Sequence, residues 1–309
     1  MFESRVSHAY LIGAAMCWGL GTVLTKYALG GIEASLLLPF QLTCSVLLLG
    51  VFLVATGSSV RGINGTVKVA ALGVLNPGIA YALGLIGLAQ ISASVSVVIW
   101  ATEPVLIVLM AFAFLHERLP LWSVLCLASA MVGVALIVGP PSAGESLTGV
   151  ALTSSAVIAC AAYSILLRRM DLRDGTLPVV FVQQASALVF ATLVLLAMSG
   201  QSLTVVDATA SQWVSAILAG GLYYGVAFLL YVAGMRRTSA ARAGMFLTLI
   251  PVFGLFFSAL LLGETMDSGQ LLGSTVVIGS MSVLALRQAK ILGSEARPNS
   301  HSFSDRPSP

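Results

Sequence analysis

Apolar residues follow one another in long runs along this chain, and the short segments between the runs carry most of its charged residues. An α-helix of about 20 residues crosses the ~30 Å hydrocarbon core of a bilayer, so apolar runs of this length predict membrane-spanning helices. Ten such runs cover residues 9–29, 33–56, 67–89, 92–115, 121–138, 148–167, 177–198, 212–234, 239–262 and 269–287. We therefore predict an all-α integral membrane protein with ten transmembrane helices.

The composition agrees with a lipid environment for most of the chain. Charged residues make up 9% of it and apolar residues 58%, whereas charged residues account for about 25% of an ordinary soluble domain. The first run could instead be a signal peptide, because Arg5 precedes it. The run contains Lys26 and lacks a small-residue cleavage pattern, which favours a retained helix.

The cysteines and histidines do not have the spacing of a disulfide framework or a metal site. The cysteines, all inside apolar runs, are Cys17, Cys44, Cys126 and Cys160. The histidines, at run edges or in the tail, are His8, His116 and His301. We expect no metal and no cofactor.

The second half of the sequence repeats the first, 147 positions later. Ser92-Ala93 returns as Ser239-Ala240, Pro104 as Pro251, and Glu117 as Glu264. An internal repeat of this length indicates a duplicated structural unit. We therefore divide the chain into two five-helix repeats, residues 9–139 and 148–287, followed by a disordered cytoplasmic tail at residues 288–309.

The basic residues predict how the chain is oriented in the membrane. If the N-terminus is cytoplasmic, 14 of the 15 Lys and Arg residues fall in cytoplasmic segments, and Lys26 alone lies toward the outside. Cytoplasmic loops are enriched in Lys and Arg, so this orientation is favoured. It places both chain termini on the cytoplasmic side of the cell membrane. Because five helices is an odd number, the second repeat enters from the opposite side, which is the inverted design of many secondary carriers.

Glu103 is the strongest candidate for a functional residue, because a carboxyl group at this depth is energetically costly. It lies at the centre of the fourth run, where a charged carboxylate costs at least about 2.5 kcal/mol. Ser96, Trp100 and Glu103 share one helix face at steps of four and three. We interpret Glu103 as a proton-coupling or cation-binding group in a substrate cavity, with Trp100 stacking on the substrate. Alternatively, Glu103 is a protonated side chain that only bonds across helices, and Trp100 fills space.

Other residues form a wider set of candidates. Pro104 and Pro251 interrupt their helices, since proline removes a backbone donor. Lys26 lies about 10 Å nearer the outside than Glu103 by helix rise, so a zwitterionic substrate could bridge the two. Alternatively, the Lys26 side chain extends to the membrane–water interface. Further polar and aromatic candidates are Gln41, Asn76, Tyr81, Tyr163, Gln183, Tyr224 and Tyr231. Tyrosines near span ends more often belong to the interfacial belt.

In these features the chain resembles the EamA family of the drug/metabolite transporter superfamily. The resemblance rests on Trp18-Gly19 before Lys26, on Pro104 and Pro251, and on Leu115-His116-Glu117-Arg118-Leu119 and Leu262-Gly263-Glu264-Thr265-Met266. It implies export or exchange of small metabolites such as amino acids or analogues, and it adds Trp18 to the cavity candidates. Members often carry an Arg in the second helix where this chain has Gln41.

We therefore predict a secondary transporter and not an enzyme, located in the cell membrane, working by alternating access and coupled to protons if Glu103 titrates. Its expected partners are a small-molecule substrate and the lipid bilayer, with no nucleic acid; the oligomeric state stays open. An intramembrane enzyme needs a paired nucleophile and base or clustered ligands, which the sequence does not offer at depth. A channel-like protein is the other alternative. We interpret Glu117 and Glu264 as structural anchors for neighbouring loops.

Overall fold

The computed structural model describes residues 2–60, 65–88, 90–91, 96, 99–117, 119–138, 146–170, 175–198, 208–263 and 265–295. Within these ranges every regular element is a helix. Ser92, Glu264, most of the predicted linker between the repeats and the chain beyond residue 295 lie outside the described residues.

The helices follow the predicted apolar runs. In chain order they are α1 (Phe2–Leu29), α2 (Ala34–Thr56), α3 (Thr66–Gly73), α4 (Ala80–Leu88), α5 (Glu103–Leu115), α6 (Leu121–Val138), α7 (Leu147–Arg169), α8 (Thr176–Met198), α9 (Ala210–Ala219), α10 (Ala227–Met235), α11 (Ala240–Met245), α12 (Ile250–Leu262) and α13 (Ser268–Glu295). The first eight residues of the predicted disordered tail are helical in α13, because residues 288–295 contain no proline to end the helix.

Within the described part, eight spans of 18 or more residues are long and apolar enough to cross a membrane. They are Val6–Leu29, Ser35–Thr56, Thr66–Gly87, Leu121–Val138, Leu147–Arg169, Thr176–Ala197, Ala210–Met235 and Ala240–Leu262. Two shorter apolar helices accompany them, Glu103–Leu115 and Ser268–Leu284. The fold is therefore that of an all-helical, multi-pass membrane protein.

Two irregular segments interrupt spans at positions that the repeat makes equivalent. Val74–Ile79 joins α3 to α4 and is kinked at Asn76, whose backbone angles are non-helical (φ −148°, ψ 118°), while the π-helical Gly220–Val226 joins α9 to α10. Each segment follows or begins with a glycine against which another helix packs by its backbone. A Cβ on Gly220 would lie 2.6 Å from the Gln41 carbonyl oxygen of α2, and a Cβ on Gly73 would overlap the Gln183 carbonyl oxygen of α8. Both positions therefore exclude any side chain.

The helices pack in pairs that bring the two halves of the chain together. The helix α1 contacts α10 and α12, α7 contacts α4 and α5, α2 contacts α8, and α6 contacts α13. In the last pair, a Cβ on Gly133 would lie 2.7 Å from the Gly273 carbonyl oxygen. Small residues let helix backbones approach this closely inside a membrane, where close packing drives association.

Basic side chains collect at one end of the helix bundle. The guanidinium of Arg237, after α10, lies 5.3 Å from the ring centre of Tyr10 in α1. The guanidinium of Arg287, in α13, lies 5.9 Å from the ring centre of Trp122 at the start of α6. We call this the basic end and define it by Arg169, Arg236, Arg237 and Arg287. The first turns of α1 and the region of Arg287 in α13 therefore lie at the same end of the bundle.

Candidate substrate site

Three aromatic side chains, those of Trp100, Tyr223 and Tyr224, gather around the ring of Tyr81. The ring centre of Tyr81 lies 5.9 Å from that of Trp100, 5.7 Å from that of Tyr223 and 5.5 Å from that of Tyr224. The rings of Tyr223 and Tyr224 are 5.0 Å apart. We call these four side chains the ring cluster. Trp100 seats against Gly84, whose Cβ would lie 3.0 Å from the indole Cζ2 atom.

Glu103 is the first residue of α5 and stands beside the ring cluster. A turn at residues 101–102 separates it from Trp100, and Pro104 occupies the first helical turn, where proline costs no hydrogen bond. Its carboxyl interacts electrostatically with the hydroxyls of Tyr223 and Tyr231 and with the Cys160 thiol. Among the described residues its carboxyl makes no hydrogen bond or ion pair.

One face of α1 forms the opposite wall. Trp18, Thr22 and Lys26 follow at steps of four, so they stack along this face. Trp18 is 7% exposed, whereas Thr22 and Lys26 are both exposed. The Thr22 hydroxyl interacts with that of Tyr223 and donates to the Trp18 carbonyl oxygen at 2.8 Å. The contact with Tyr223 turns Thr22 toward the ring cluster, and exposure rises along the stripe from Trp18 to Thr22 and Lys26, as expected beside an internal space that opens in that direction.

The side chains that line this space are enclosed by protein and are still partly exposed. Tyr81, Glu103 and Tyr223 have this property, and Trp100 is also partly exposed. Because these side chains are packed among several helices, we interpret their remaining exposure as exposure to a space inside the bundle. We call this space the central chamber and define its lining by Thr22, Tyr81, Trp100, Glu103 and Tyr223.

A second group of aromatic side chains, centred on Trp18, packs next to the ring cluster. The Trp18 ring meets those of Tyr231 and Phe228 edge to face, with centres 5.3 Å and 5.6 Å apart. The Tyr231 and Ser164 hydroxyls are hydrogen-bonded at 2.8 Å. The indole N–H of Trp18 is buried without a partner among the described residues. Trp18 therefore belongs to the chamber's supporting wall and offers an unused donor.

Tyr163 and Gln183 lie together, away from the chamber lining. The Tyr163 hydroxyl donates to Gln183 Oε1 at 3.1 Å, and both side chains are at most 1% exposed. The Gln183 amide nitrogen has no partner among the described residues. The two side chains are therefore joined by one hydrogen bond in the core between α7 and α8 and do not face an open space.

Gln41 and Asn76 are also buried, in separate places. Gln41 donates through Nε2 to the Thr25 hydroxyl at 3.0 Å and is 1% exposed. Asn76 lies in the first irregular segment, is 6% exposed, and its side-chain carbonyl oxygen has no described partner. Ser96 is 4% exposed. The structure thus brings Tyr81, Trp100, Glu103 and Tyr224 of the predicted set together and leaves these polar residues in the surrounding core.

The chamber is closed toward the basic end. Met235, Met245 and Phe246 are each at most 1% exposed there. Pro251 lies in the first turn of α12, which begins at Ile250 directly after a 3-10 segment at Phe246–Leu249, so these buried side chains lie where two helix types meet. The Ser7 hydroxyl donates to the Gly234 carbonyl oxygen at 3.2 Å, which ties α1 to α10 at the same level.

Three residues of the site escaped prediction from the sequence. Thr22 continues the stripe from Trp18 to Lys26, and this spacing could have identified it. Tyr223 carries the contacts to Glu103 and Tyr81, but a helix of α-helical period would set it apart from Tyr224. The π-helical segment from Gly220 places both rings in the cluster. Cys160, whose spacing indicated neither a disulfide nor a metal site, lies within electrostatic range of Glu103.

An apolar groove of about 630 Å³ lies on the membrane-facing side of α2 and α8, apart from the chamber. Its lining is Val46, Leu47, Gly50, Val51, Val54, Ala55 and Phe181. These side chains supply no polar group that could orient a substrate. Among the described residues, no three His, Cys, Asp or Glu side chains form a group that could hold a metal ion.

Comparison with known proteins identifies the family. The sequence profile of the EamA-like transporter family matches residues 6–139 and again residues 147–286. A protein of Archaeoglobus fulgidus named as an uncharacterized transporter is 22% identical over 261 residues, 84% of this chain and 92% of that protein. A protein crystal structure shares the fold, with a TM-score of 0.77 and 20% identity over 92% of this chain and 99% of that chain. The chain therefore belongs to the EamA-like transporter family, within the drug/metabolite transporter superfamily, and is a multi-pass membrane transporter.

Proposed function

We propose that this transporter is a secondary carrier that exports small metabolites, such as amino acids or their analogues, by alternating access. The observation that carries the proposal is the central chamber, which is open on the Lys26 side and closed toward the basic end. A carrier needs a site that each face of the membrane reaches in turn. The chamber has the exposure pattern of one of these two states.

The proposal includes two inverted repeats of five helices each. The two irregular segments are one supporting feature, since Gly73 and Gly220 lie 147 positions apart and approach opposite halves in the same way. Left-handed caps end α5 at His116 and α12 at Gly263, again 147 positions apart. Equivalent elements with equivalent packing are what a duplicated unit produces.

The direction of the repeats follows from where equivalent residues lie. Gly87 packs on Thr153, near the start of α7, while its counterpart Gly234 packs on Leu11 of α1. Gly234 lies at the basic end and Gly87 at the other, so an equivalent contact occurs once at each end of the bundle. Because basic segments stay in the cytoplasm, we assign the basic end, with both chain termini, to the cytoplasmic side of the cell membrane.

Glu103 is our candidate for proton coupling. A deep carboxylate is costly without a partner, so Glu103 is stable either as a neutral acid or as an anion paired with substrate. Exchange between these two states would link substrate movement to proton movement. The hydroxyls and thiol around it carry no permanent charge that would replace either partner.

The proposal is tested by a resistance screen followed by counterflow. Cells that overproduce the protein are challenged with toxic amino-acid analogues and amines, and the protected compounds are tested in proteoliposomes. We expect unlabelled compound inside the vesicles to accelerate uptake of labelled compound. In a carrier, internal substrate binds the site and returns it to the outer face, where labelled compound can bind. Empty liposomes are the control. Flux that neither saturates nor responds to internal substrate would indicate a channel and contradict the carrier.

A further inference from the structure

We infer that the central chamber selects substrates with a positively charged amino group, which is bound between the ring cluster and the carboxylate of Glu103. This inference deepens the proposed function by naming the substrate class, and it rests on that function only for the direction and coupling of transport. It is carried by the geometry of the four rings, by the surroundings of Glu103 and by the placement of the basic side chains.

The ring cluster is shaped as a partial cage. The rings of Tyr223 and Tyr224 stand at 86° and 61° to that of Tyr81, and Trp100 is tilted by 37°. The rings contact one another at these angles, and the parts of Tyr81, Trp100 and Tyr223 that stay exposed are left to line the chamber. The face of an aromatic ring is negative, so several faces around one space attract a cation and repel an anion.

Glu103 supplies the counter-charge for this cage. Its carboxyl lies within electrostatic range of the hydroxyls of Tyr223, which belongs to the ring cluster, and of Tyr231. In the described part of the chain no Lys, Arg or His forms an ion pair with it. An anion away from water needs a cationic partner or a proton. An ammonium group on the substrate would provide that partner where the protein provides none.

The basic side chains lie where they cannot serve an anionic substrate in the cage. Those of the basic end are separated from the chamber by the buried plug of Met235, Met245 and Phe246. Lys26 lies one turn, about 6 Å, beyond Thr22 toward the opening. Glu103 forms no ion pair with Lys26 or with any other basic side chain in the described part of the chain, so its counter-charge is left for the substrate to supply.

The test compares three probes of similar shape and different charge on the full-length protein in detergent. They are 2-phenylethylammonium, neutral 2-phenylethanol and anionic 3-phenylpropanoate, titrated by calorimetry. We expect saturable binding of the amine, at least tenfold weaker binding of the alcohol and weaker binding still of the carboxylate. A factor of ten is about the contribution of a desolvated cation–π contact.

Two variants assign the selectivity to the chamber. Glu103→Gln should weaken amine binding at least tenfold and leave the weak binding of 2-phenylethanol unchanged, which shows that the variant is folded. Trp100→Leu should weaken amine binding several-fold. Glu33→Gln is the matched control, because Glu33 is an exposed carboxylate before α2 and outside the chamber; its amine affinity should equal that of the wild type.

Three outcomes overturn the inference. They are equal binding of amine and alcohol, unchanged amine affinity in Glu103→Gln, and a dissociation constant for the amine above about 10 mM. The carrier proposal is judged separately. Counterflow of a neutral or anionic compound without amine binding would remove the cation site and leave the carrier intact. Amine binding without counterflow of any compound would leave the site and remove the carrier mechanism.

Discussion

Glu117 Oε1 accepts the backbone N–H of Ala240 at 3.1 Å, although 123 residues separate the two along the chain. Its second oxygen accepts the N–H of Ala241 at 3.0 Å. The carboxylate therefore satisfies two of the unpaired donors at the start of α11 and lies at the positive end of that helix. The end of α5, in the first half, is fastened to the second half beside the plug that closes the chamber.

Replacing Glu117 should loosen this closure. We expect Glu117→Ala to lower stability by about 1–3 kcal/mol, since it leaves two charged-acceptor hydrogen bonds unmade. Thermal unfolding in detergent measures the change. Glu117→Gln keeps one acceptor oxygen and should lose less. Stability equal to the wild type in both variants would show that the contact contributes nothing to the closed state.

Substitution of Gly220 should be much more harmful than substitution of a free helical glycine. A Cβ on Gly220 would lie 2.6 Å from Gln41 O and 2.8 Å from Cys44 Cβ, so α2 would have to move. We expect Gly220→Ala to cost about 1–3 kcal/mol. Gly279→Ala is the control, because nothing lies within 4 Å of its Cβ position, and it should be neutral or stabilising by up to about 1 kcal/mol. Equal melting temperatures for the two variants would refute this packing.

The chamber should admit a water-soluble reagent from the Lys26 side. In a background with the four native cysteines replaced, Thr22→Cys should react with a membrane-impermeant thiol reagent added outside the cell. Arg237→Cys, at the basic end, should react only after the membrane is permeabilised. External labelling of the Arg237 position, or protection of the Thr22 position from both sides, would contradict the assigned orientation or the open chamber respectively.

Proton coupling through Glu103 predicts a pH-dependent transport rate that disappears with the carboxyl. Counterflow of a transported amine should change with pH in the wild type, because protons and substrate compete for one carboxylate. Glu103→Gln cannot release a proton and should show a flat profile at a reduced rate. Glu33→Gln should retain the wild-type profile. A pH dependence that survives in Glu103→Gln would assign the coupling to another group.

The sequence was sufficient to predict the membrane fold, because apolar length and charge distribution are set directly by the bilayer. The helices α2 and α6 follow their predicted runs closely, and α1 ends where predicted but begins seven residues earlier, at Phe2. The irregular segments inside the spans were harder to predict from the sequence. Asn76 lies at a kink with non-helical backbone angles and Gly220 begins a π-helical segment, and an α-helical pattern in the sequence reveals neither.

Part of the candidate site could also be predicted from the sequence, because polar and aromatic residues stand out within an apolar run. Glu103 and Trp100 are conspicuous as deep polar and aromatic residues on one helix face, and the structure places both at the chamber. Tyr163 and Gln183 look equally suitable in the sequence, but their mutual hydrogen bond was a pairing between two helices that sequence spacing does not report. Thr22 was overlooked because a threonine within an apolar helix is seldom conspicuous.

Substrate exchange by Glu103→Gln tests the central claim most directly. Proteoliposomes with wild-type protein, Glu103→Gln or Glu33→Gln are loaded with an amine identified in the resistance screen, and uptake of the labelled amine is followed. We predict rapid exchange by the wild type and Glu33→Gln, and exchange at least tenfold slower by Glu103→Gln at subsaturating amine. Equal exchange by all three proteins would show that the substrate does not pass the central chamber at Glu103.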